Sequence, residues 1–364
     1  MKIALHSFNY SGNDAGIAIV TRNSLSRLAG RHDIHIICQN KNIITNETLK
    51  ENEEMHGCHV HRISRSKIPL IGTLIYFYKA IIKIKNIHPD VFHEQELCGI
   101  GYLTKKLSGI PYLVFCHGID VFGRQPFLTK ILKKLDIKNA DAVIANTLQL
   151  AETIKKKFYD RKIELIRNGI NLEEFRLKKE NSKGTTRFIG VGRLIPSKGF
   201  QYAIEALAII KKDIAPFEYY IIGVGEHESE LKALAKSKGV EKEIIFRGKM
   251  PHSEVVKNLA RADVFLFPTH HTETCSLAIL EAMASGLPII TTNFQANPEL
   301  VEEGKGGFLA PTENVAALAE KIREMISDKK RMLEFGKFNK EKAKSFDWEI
   351  IAKQLEEVYH RIRK

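Results

Sequence analysis

The sequence has few cysteines, and they form no pattern. Cys38, Cys58, Cys98, Cys116 and Cys275 are an odd five, with no two in C-x-x-C spacing. That excludes a disulfide-stapled small fold and suits a reducing compartment. The run MHGCHVHR crowds His56, His59 and His61 around Cys58. Its alternation through Cys58, Val60 and Arg62 reads as a strand rather than a metal site. Long apolar runs are missing too. The longest, 68–84, is interrupted by Pro69, Gly72, Lys79 and Lys83, so it is not a membrane span. The apolar run after Met1-Lys2 is too short for the h-region of a signal peptide. These absences point to a cytoplasmic protein, with room for a peripheral contact on the cytoplasmic face of a membrane. RNP-type, zinc-finger and dense basic-aromatic signatures are also lacking, which argues against nucleic acid as a partner.

What is present is a basic surplus. Lys and Arg number 56 against 43 Asp and Glu, a formal net charge of +13. The excess is spread over both halves and is larger in the first. It fits an anionic ligand or an anionic membrane surface. At 364 residues, the chain exceeds what one core usually serves, so two domains are expected.

Strands and helices alternate in two successive series. In the first, Lys2 to His6 reads as a strand, Ser7 to Gly16 as a glycine-containing loop, and Ile17 to Leu28 as a helix. Further strands are expected at Ile34 to Ile37, Val60 to Ile63, Asp90 to Phe92, Pro111 to Cys116, Asp141 to Ala145 and Ile163 to Ile166. Tyr76 to Ile87 is a helix of aromatics, isoleucines and lysines. It reads as a core-facing helix or as an element lying against anionic lipid. The polar stretch 173–186 is read as a linker, with domains at 1–172 and 187–345. A last helix within 346–364 shows Ile351, Leu355 and Val358 on one face and is expected to pack back on the first domain. The pattern is α/β, with two doubly wound Rossmann-like domains across a cleft.

The second series carries the most informative stretch, FPTHHTETCSLAILEAMASGLPIITTN at 267–293. Glu273 and Glu281 stand eight apart. Ser276 or Thr274 can cap a helix start, Gly286 can close that helix in a left-handed conformation, and Pro288 prevents its return. The amides of Cys275, Ser276 and Leu277 then point out of a helix start, where an anion is favoured. Two carboxylates suit vicinal diols, because an ionised carboxylate accepts hydroxyls in a fork. The ligand implied has hydroxyls at each end and an anion between them, the shape of a nucleotide sugar. Upstream, Arg193 and Lys198 share one loop after a strand, a planar fork and a point charge suited to a diphosphate. In the first series, Gly16 allows close approach to a phosphate, and His117 sits just past a strand's carboxyl end, where α/β folds place ligands.

Taken in order, these segments resemble the retaining glycosyltransferases of family 4, which have the GT-B fold. The likeness covers nearly the whole chain. Its most specific part is Glu273 to Pro288, similar to the family's E-x7-E motif and the L-E-A-M-A-x-G-x-P that follows. V-G-R-L-x-x-x-K-G at 191–199, H-G-x-D at 117–120 and N-G-I at 168–170 support it. The resemblance implies transfer of a hexose-type sugar from a UDP- or GDP-sugar to an acceptor hydroxyl, in polysaccharide, lipopolysaccharide or glycolipid synthesis. It gives Arg193 and Lys198 the diphosphate, Glu281 the ribose, and Glu273 the transferred sugar. Amides near Cys275, Ser276 and Leu277 take the distal phosphate, His117 contacts the sugar near the reacting centre, and Gly16 brings its amide to the phosphates. The chain departs from the family pattern at Ala15-Gly16, where two glycines are usual, and at Thr274-Cys275-Ser276.

No cofactor is expected. There is no Asp-x-Asp triad near the donor residues, and the two cations can take a metal's place. A glycosidase fits poorly: it needs carboxyl groups about 5–9.5 Å apart, whereas eight residues of helix rise about 12 Å. A sugar-nucleotide epimerase or a phosphorylase of the same architecture stays open, as does a non-enzymatic basic protein that binds membrane or nucleic acid.

Overall fold

The computed structural model describes residues 1–8, 10, 16–40, 48–65, 69–122, 127–158, 162–177, 184–270 and 274–363. It divides into two units, one of Met1–Gly169 with Trp348–Lys364, the other of Ile170–Asp347.

The first unit is built on an eight-stranded sheet. Its strands are β1 (Lys2–His6), β2 (Asp33–Gln39), β3 (Asn52–Met55), β4 (Cys58–Ile63), β5 (Val91–Glu94), β6 (Tyr112–Cys116), β7 (Ala142–Ala145) and β8 (Glu164–Leu165). Their order is β3-β4-β2-β1-β5-β6-β7-β8. All pair in parallel except β3, which runs antiparallel to β4 as an edge strand. β1, β6 and β7 are buried along nearly their whole length, as strands covered by helices on both faces must be. The order reverses between β1 and β5, both of which flank the sheet's centre. The polar NEEM of β3 has no apolar alternation, so the sequence gives no sign of it.

The second unit has six parallel strands: β9 (Thr186–Val191), β10 (Phe217–Ile222), β11 (Ile244–Gly248), β12 (Val264–Leu266), β13 (Ile289–Thr292) and β14 (Gly307–Ala310). Their order, β11-β10-β9-β12-β13-β14, is the doubly wound arrangement with its switch point between β9 and β12. Its core runs from Phe188 and Phe200 through Tyr219, Phe265 and Ile279 to Ile322.

The chain enters the second unit earlier than the expected linker at 173–186. The Ile170 amide donates to the Phe346 carbonyl over 2.7 Å, and Phe175 is buried in the second core. A hydrophobic residue inside a "linker" ties it to the domain that buries it. Residues 178–183 of that stretch lie outside the described residues.

The last helix, Trp348–Ile362, belongs to the first unit. Trp348, Ile351, Ala352, Leu355, Val358, Tyr359 and Ile362 form its buried stripe, packed with Val20, Leu25 and Leu28 of the first helix, Gly16–Leu28. Tyr359 is joined to the sheet by a 2.6 Å hydrogen bond between its hydroxyl and His93 Nδ1. Trp348 lies against Gly169, where an added Cβ would meet the indole ring at 2.4 Å. Only a glycine leaves room for the ring there. Trp348→Ala should cost about 3–5 kcal/mol of stability. Chemical denaturation of the two proteins, followed by circular dichroism, checks this.

Candidate functional site

The site of the second unit stands at the switch point of its sheet. Two loops rise there from neighbouring strands, 192–199 after β9 and one that begins at Phe267 after β12. The first is clamped from both sides. On one side, the Gly192 amide donates to the Ile222 carbonyl, Leu194 to Val224, and His227 to Leu194, each over 3.0 Å. The approach is so close that a Cβ on Gly223 would meet the Gly192 oxygen at 1.9 Å, and one on Gly225 the Leu194 oxygen at 2.2 Å. On the other side, the His270 amide donates to the Ser197 carbonyl over 2.9 Å. Gly199, at φ +77°, lies so near Pro268 that a Cβ would stand 2.0 Å from its oxygen. The glycines at 223 and 225 carry no role in the sequence reading. What they do is let two backbones touch.

This clamp fixes the two cations. Arg193 is exposed. Lys198 is only 6% exposed, with its ammonium 5.5 Å from the centre of the Phe267 ring. Burial, reinforced by the Arg193 charge, lowers its pKa from 10.5 to about 7. A buried cation beside a second cation is costly unless something negative arrives.

The other arm leads to the helix Leu277–Ala284. Thr274, Cys275 and Ser276 are buried and Leu277 half-buried. Ser276 occupies the N-cap position in an extended conformation, but its hydroxyl makes no capping hydrogen bond. The cap expected of its side chain is therefore not formed. Gly286 closes the far end at φ +71°, as the sequence implies. Glu273 lies outside the described residues.

Glu281 sits one turn into that helix with its side chain 16% exposed. Burial pushes its pKa from 4.5 up to about 7, against the pull of His252 and with a further push from Glu174. His252 Nδ1 stands 3.8 Å from Glu281 Oε1, and its Nε2 is 2.8 Å from Glu174 Oε2. Sequence reading missed this chain of three. Nothing local links the positions, which meet only through the packing of the helix His252–Arg261 on the turn Leu172–Phe175.

The remaining candidates belong to the first unit. His117 follows β6, buried, with its ring stacked on Phe115 at 4.5 Å. The Gln95 amide is 2.9 Å from its Nε2. Burial lowers its pKa to about 3, so the ring is neutral at physiological pH. It can offer a hydrogen bond but not a charge. Gly16 is exposed and opens the first helix, where a Cβ would meet nothing within 4 Å. The chain's own packing therefore makes no demand for glycine at that position.

Comparison with known proteins is consistent across the chain. The family described as Glycosyltransferase Family 4 matches residues 15–174, and that described as Glycosyl transferases group 1 matches 172–342. The chain is similar to the amylovoran biosynthesis glycosyltransferase AmsK of Erwinia amylovora, 33% identical over 71% of this chain and 65% of that protein. It is also similar to the putative colanic acid biosynthesis glycosyltransferase WcaL of Salmonella typhimurium, 33% identical over 76% of this chain and 70% of the relative. In fold it resembles a sucrose-phosphate synthase from Thermosynechococcus elongatus, with TM-score 0.82 and 20% identity over 99% of this chain and 98% of the other. It likewise resembles Anabaena HepE in complex with UDP, with TM-score 0.83 and 19% identity over 99% and 100%.

The Lys198 shift has a signed consequence. Between pH 7 and 10.5 the unfolded chain holds a proton on this lysine that the folded chain has lost, so folding stability rises with pH across that window. The penalty of the buried charge is present in full below pH 7. Lys198→Met should therefore be more stable than the wild type at pH 6–7, with the advantage shrinking toward pH 10. Urea denaturation of both proteins at the two ends of the range measures it.

Proposed function

This chain belongs to the glycosyltransferases of family 4, a GT-B enzyme, and on that premise we propose that it transfers a sugar from a nucleoside-diphosphate donor to an acceptor hydroxyl with retention of configuration. The observation that carries the reading is the clamped loop holding Arg193 beside a buried, half-titrating Lys198. Charge builds on the diphosphate as the sugar leaves. Cations and amides already in place stabilise that charge without reorganising at the moment of reaction. Arg193 offers its planar fork to the diphosphate, and Lys198 takes up a proton and becomes its close partner. The amides around Cys275, Ser276 and Leu277 receive the distal phosphate at a helix start whose side-chain cap is absent.

Glu281 takes the ribose hydroxyls, and loses its proton as it does so. Glu273 takes hydroxyls of the transferred sugar. His117, neutral, contacts that sugar near the reacting carbon, and the Gly16 amide approaches the phosphates. With two cations on the leaving group, the step needs no divalent ion. The donor is a UDP- or GDP-hexose. The names of the relatives favour an acceptor in extracellular polysaccharide or lipopolysaccharide synthesis.

Arg193→Ala and Lys198→Ala should each lower turnover by about tenfold or more while the protein stays folded. Nucleotide release from a panel of UDP- and GDP-sugars, with and without acceptor, reads this directly. It also separates transfer from epimerisation or phosphorolysis. Turnover near that of the wild type in either variant would remove the diphosphate assignment.

The acceptor side is proposed to work against an anionic membrane surface. The helix Pro69–Ile87 exposes Ile71, Leu74, Ile75, Tyr78 and Ile82, one stripe at helical spacing, with Leu74 59% and Tyr78 67% exposed. Lys79 and Lys85 are exposed beside the stripe, and the helix has no acidic residue. Its opposite face, with Tyr76, Ala80 and Ile84, is in the core. No helix among the described residues is long and apolar enough to cross a membrane. An apolar stripe rimmed by cations matches a helix lying in the plane of an anionic leaflet. The protein should co-sediment with phosphatidylglycerol-containing vesicles and not with phosphatidylcholine alone, and Leu74→Glu with Tyr78→Glu should abolish this. Undiminished sedimentation of the double variant would sink the assignment.

A further inference from the structure

At the amino-terminal half of β2, away from the carboxyl-end loops of the sheet, three side chains converge. Asp33 Oδ1 lies 3.1 Å from His35 Nε2 and 3.5 Å from His59 Nε2. One donor atom from each of the three lies within 4.8 Å of the others. Asp33 and His35 point the same way two residues apart on β2, and register pairs His35 with His59 on β4.

The outer contacts fix how these rings present themselves. Asn52 Oδ1, an acceptor, is 2.9 Å from His61 Nδ1, so that nitrogen carries the hydrogen. His61 Nε2 is 3.0 Å from His35 Nδ1, close enough for the two rings to share a hydrogen bond. His35 Nε2 faces the Asp33 carboxylate oxygen over 3.1 Å. His59 is placed in a similar way, with Nδ1 3.3 Å from Glu54 Oε1 and Nε2 3.5 Å from Asp33 Oδ1. Two imidazole nitrogens and a carboxylate oxygen therefore share one small space, an arrangement that a cation can bridge.

We propose that Asp33, His35 and His59 bind a zinc ion. Two imidazole nitrogens and a carboxylate oxygen are a zinc donor set, with water completing a tetrahedron. The 3.1 and 3.5 Å separations already approximate the edges of such a tetrahedron. Glu54 and the His61–Asn52 pair are the outer partners that orient zinc-bound histidines. The ion joins β2 to β4 near the sheet's edge and so staples the β3–β4 hairpin; its role is structural. Lys2 reaches only the other Asp33 oxygen, at 3.8 Å on the surface, and such exposed pairs give way readily. A neighbouring trio, His32, Glu356 and His360, is a poorer site. Its carboxylate is already held by Arg31 at 3.2 Å and by His32 at 2.6 Å.

The test is zinc titration of the metal-free full-length protein by calorimetry, paired with thermal unfolding. One zinc per chain should bind and raise the unfolding temperature. His59→Ala and Asp33→Ala should abolish this, Glu54→Gln should weaken it by about tenfold or more, and His360→Ala should leave it unchanged. His59 and Asp33 are on the surface, so circular dichroism of the metal-free variants should match the wild type. Absence of saturable zinc binding would overturn the proposal, as would binding that survives His59→Ala and Asp33→Ala or is lost in His360→Ala.

Discussion

A lysine ammonium that has left water, with an arginine beside it, sets the terms for the second unit. Lys198 is buried by the same loop that presents Arg193, and the two charges oppose each other. The fold holds them there because the loop cannot relax. Its backbone is hydrogen-bonded on one flank to 222–227 and on the other to His270. Gly199, Gly223 and Gly225 remove the Cβ atoms that would push those backbones apart. Burial of one cation beside another raises the energy of the charged lysine, and a bound anion would lower it.

The carboxylate Glu281 mirrors the lysine. Both titrate near pH 7 in the folded protein, the acid pushed up and the base pushed down by burial. In each, burial opposes the charged form. His252 stands between Glu281 and Glu174, 3.8 Å from the one and 2.8 Å from the other. In the first unit, His117 has gone the same way as the lysine and is neutral. Lys198 and Glu281 thus lie near their midpoints at pH 7 and His117 is uncharged, while Arg193 is exposed.

Other features answer to separate constraints. The closing helix returns to the first unit because its apolar stripe has partners there, Val20, Leu25 and Leu28. The stripe on the helix Pro69–Ile87 is exposed and bordered by lysines. The histidines of β2 and β4 meet through strand register. Each is a local pattern whose meaning depends on what lies across from it.

The sequence by itself determined the alternation of strands and helices, the two-domain α/β class, the closing helix, and the end of the Leu277–Ala284 helix at Gly286. These follow from periodicity and from backbone conformations that only certain residues adopt, which are local physics. It also marked Arg193, Lys198 and Glu281, because motif spacing records which residues a loop or helix start can present together. It did not show the polar edge strand β3, the domain crossing at Gly169–Ile170, the roles of Gly223 and Gly225, or the Glu174–His252–Glu281 chain. Nor did it give the state of Lys198 or the meeting of His35 with His59, and the histidine run around Cys58 looked like a strand and nothing more. Those depended on tertiary structure alone, since burial, close backbone approach and cross-strand register arise only when residues distant in the chain are brought together.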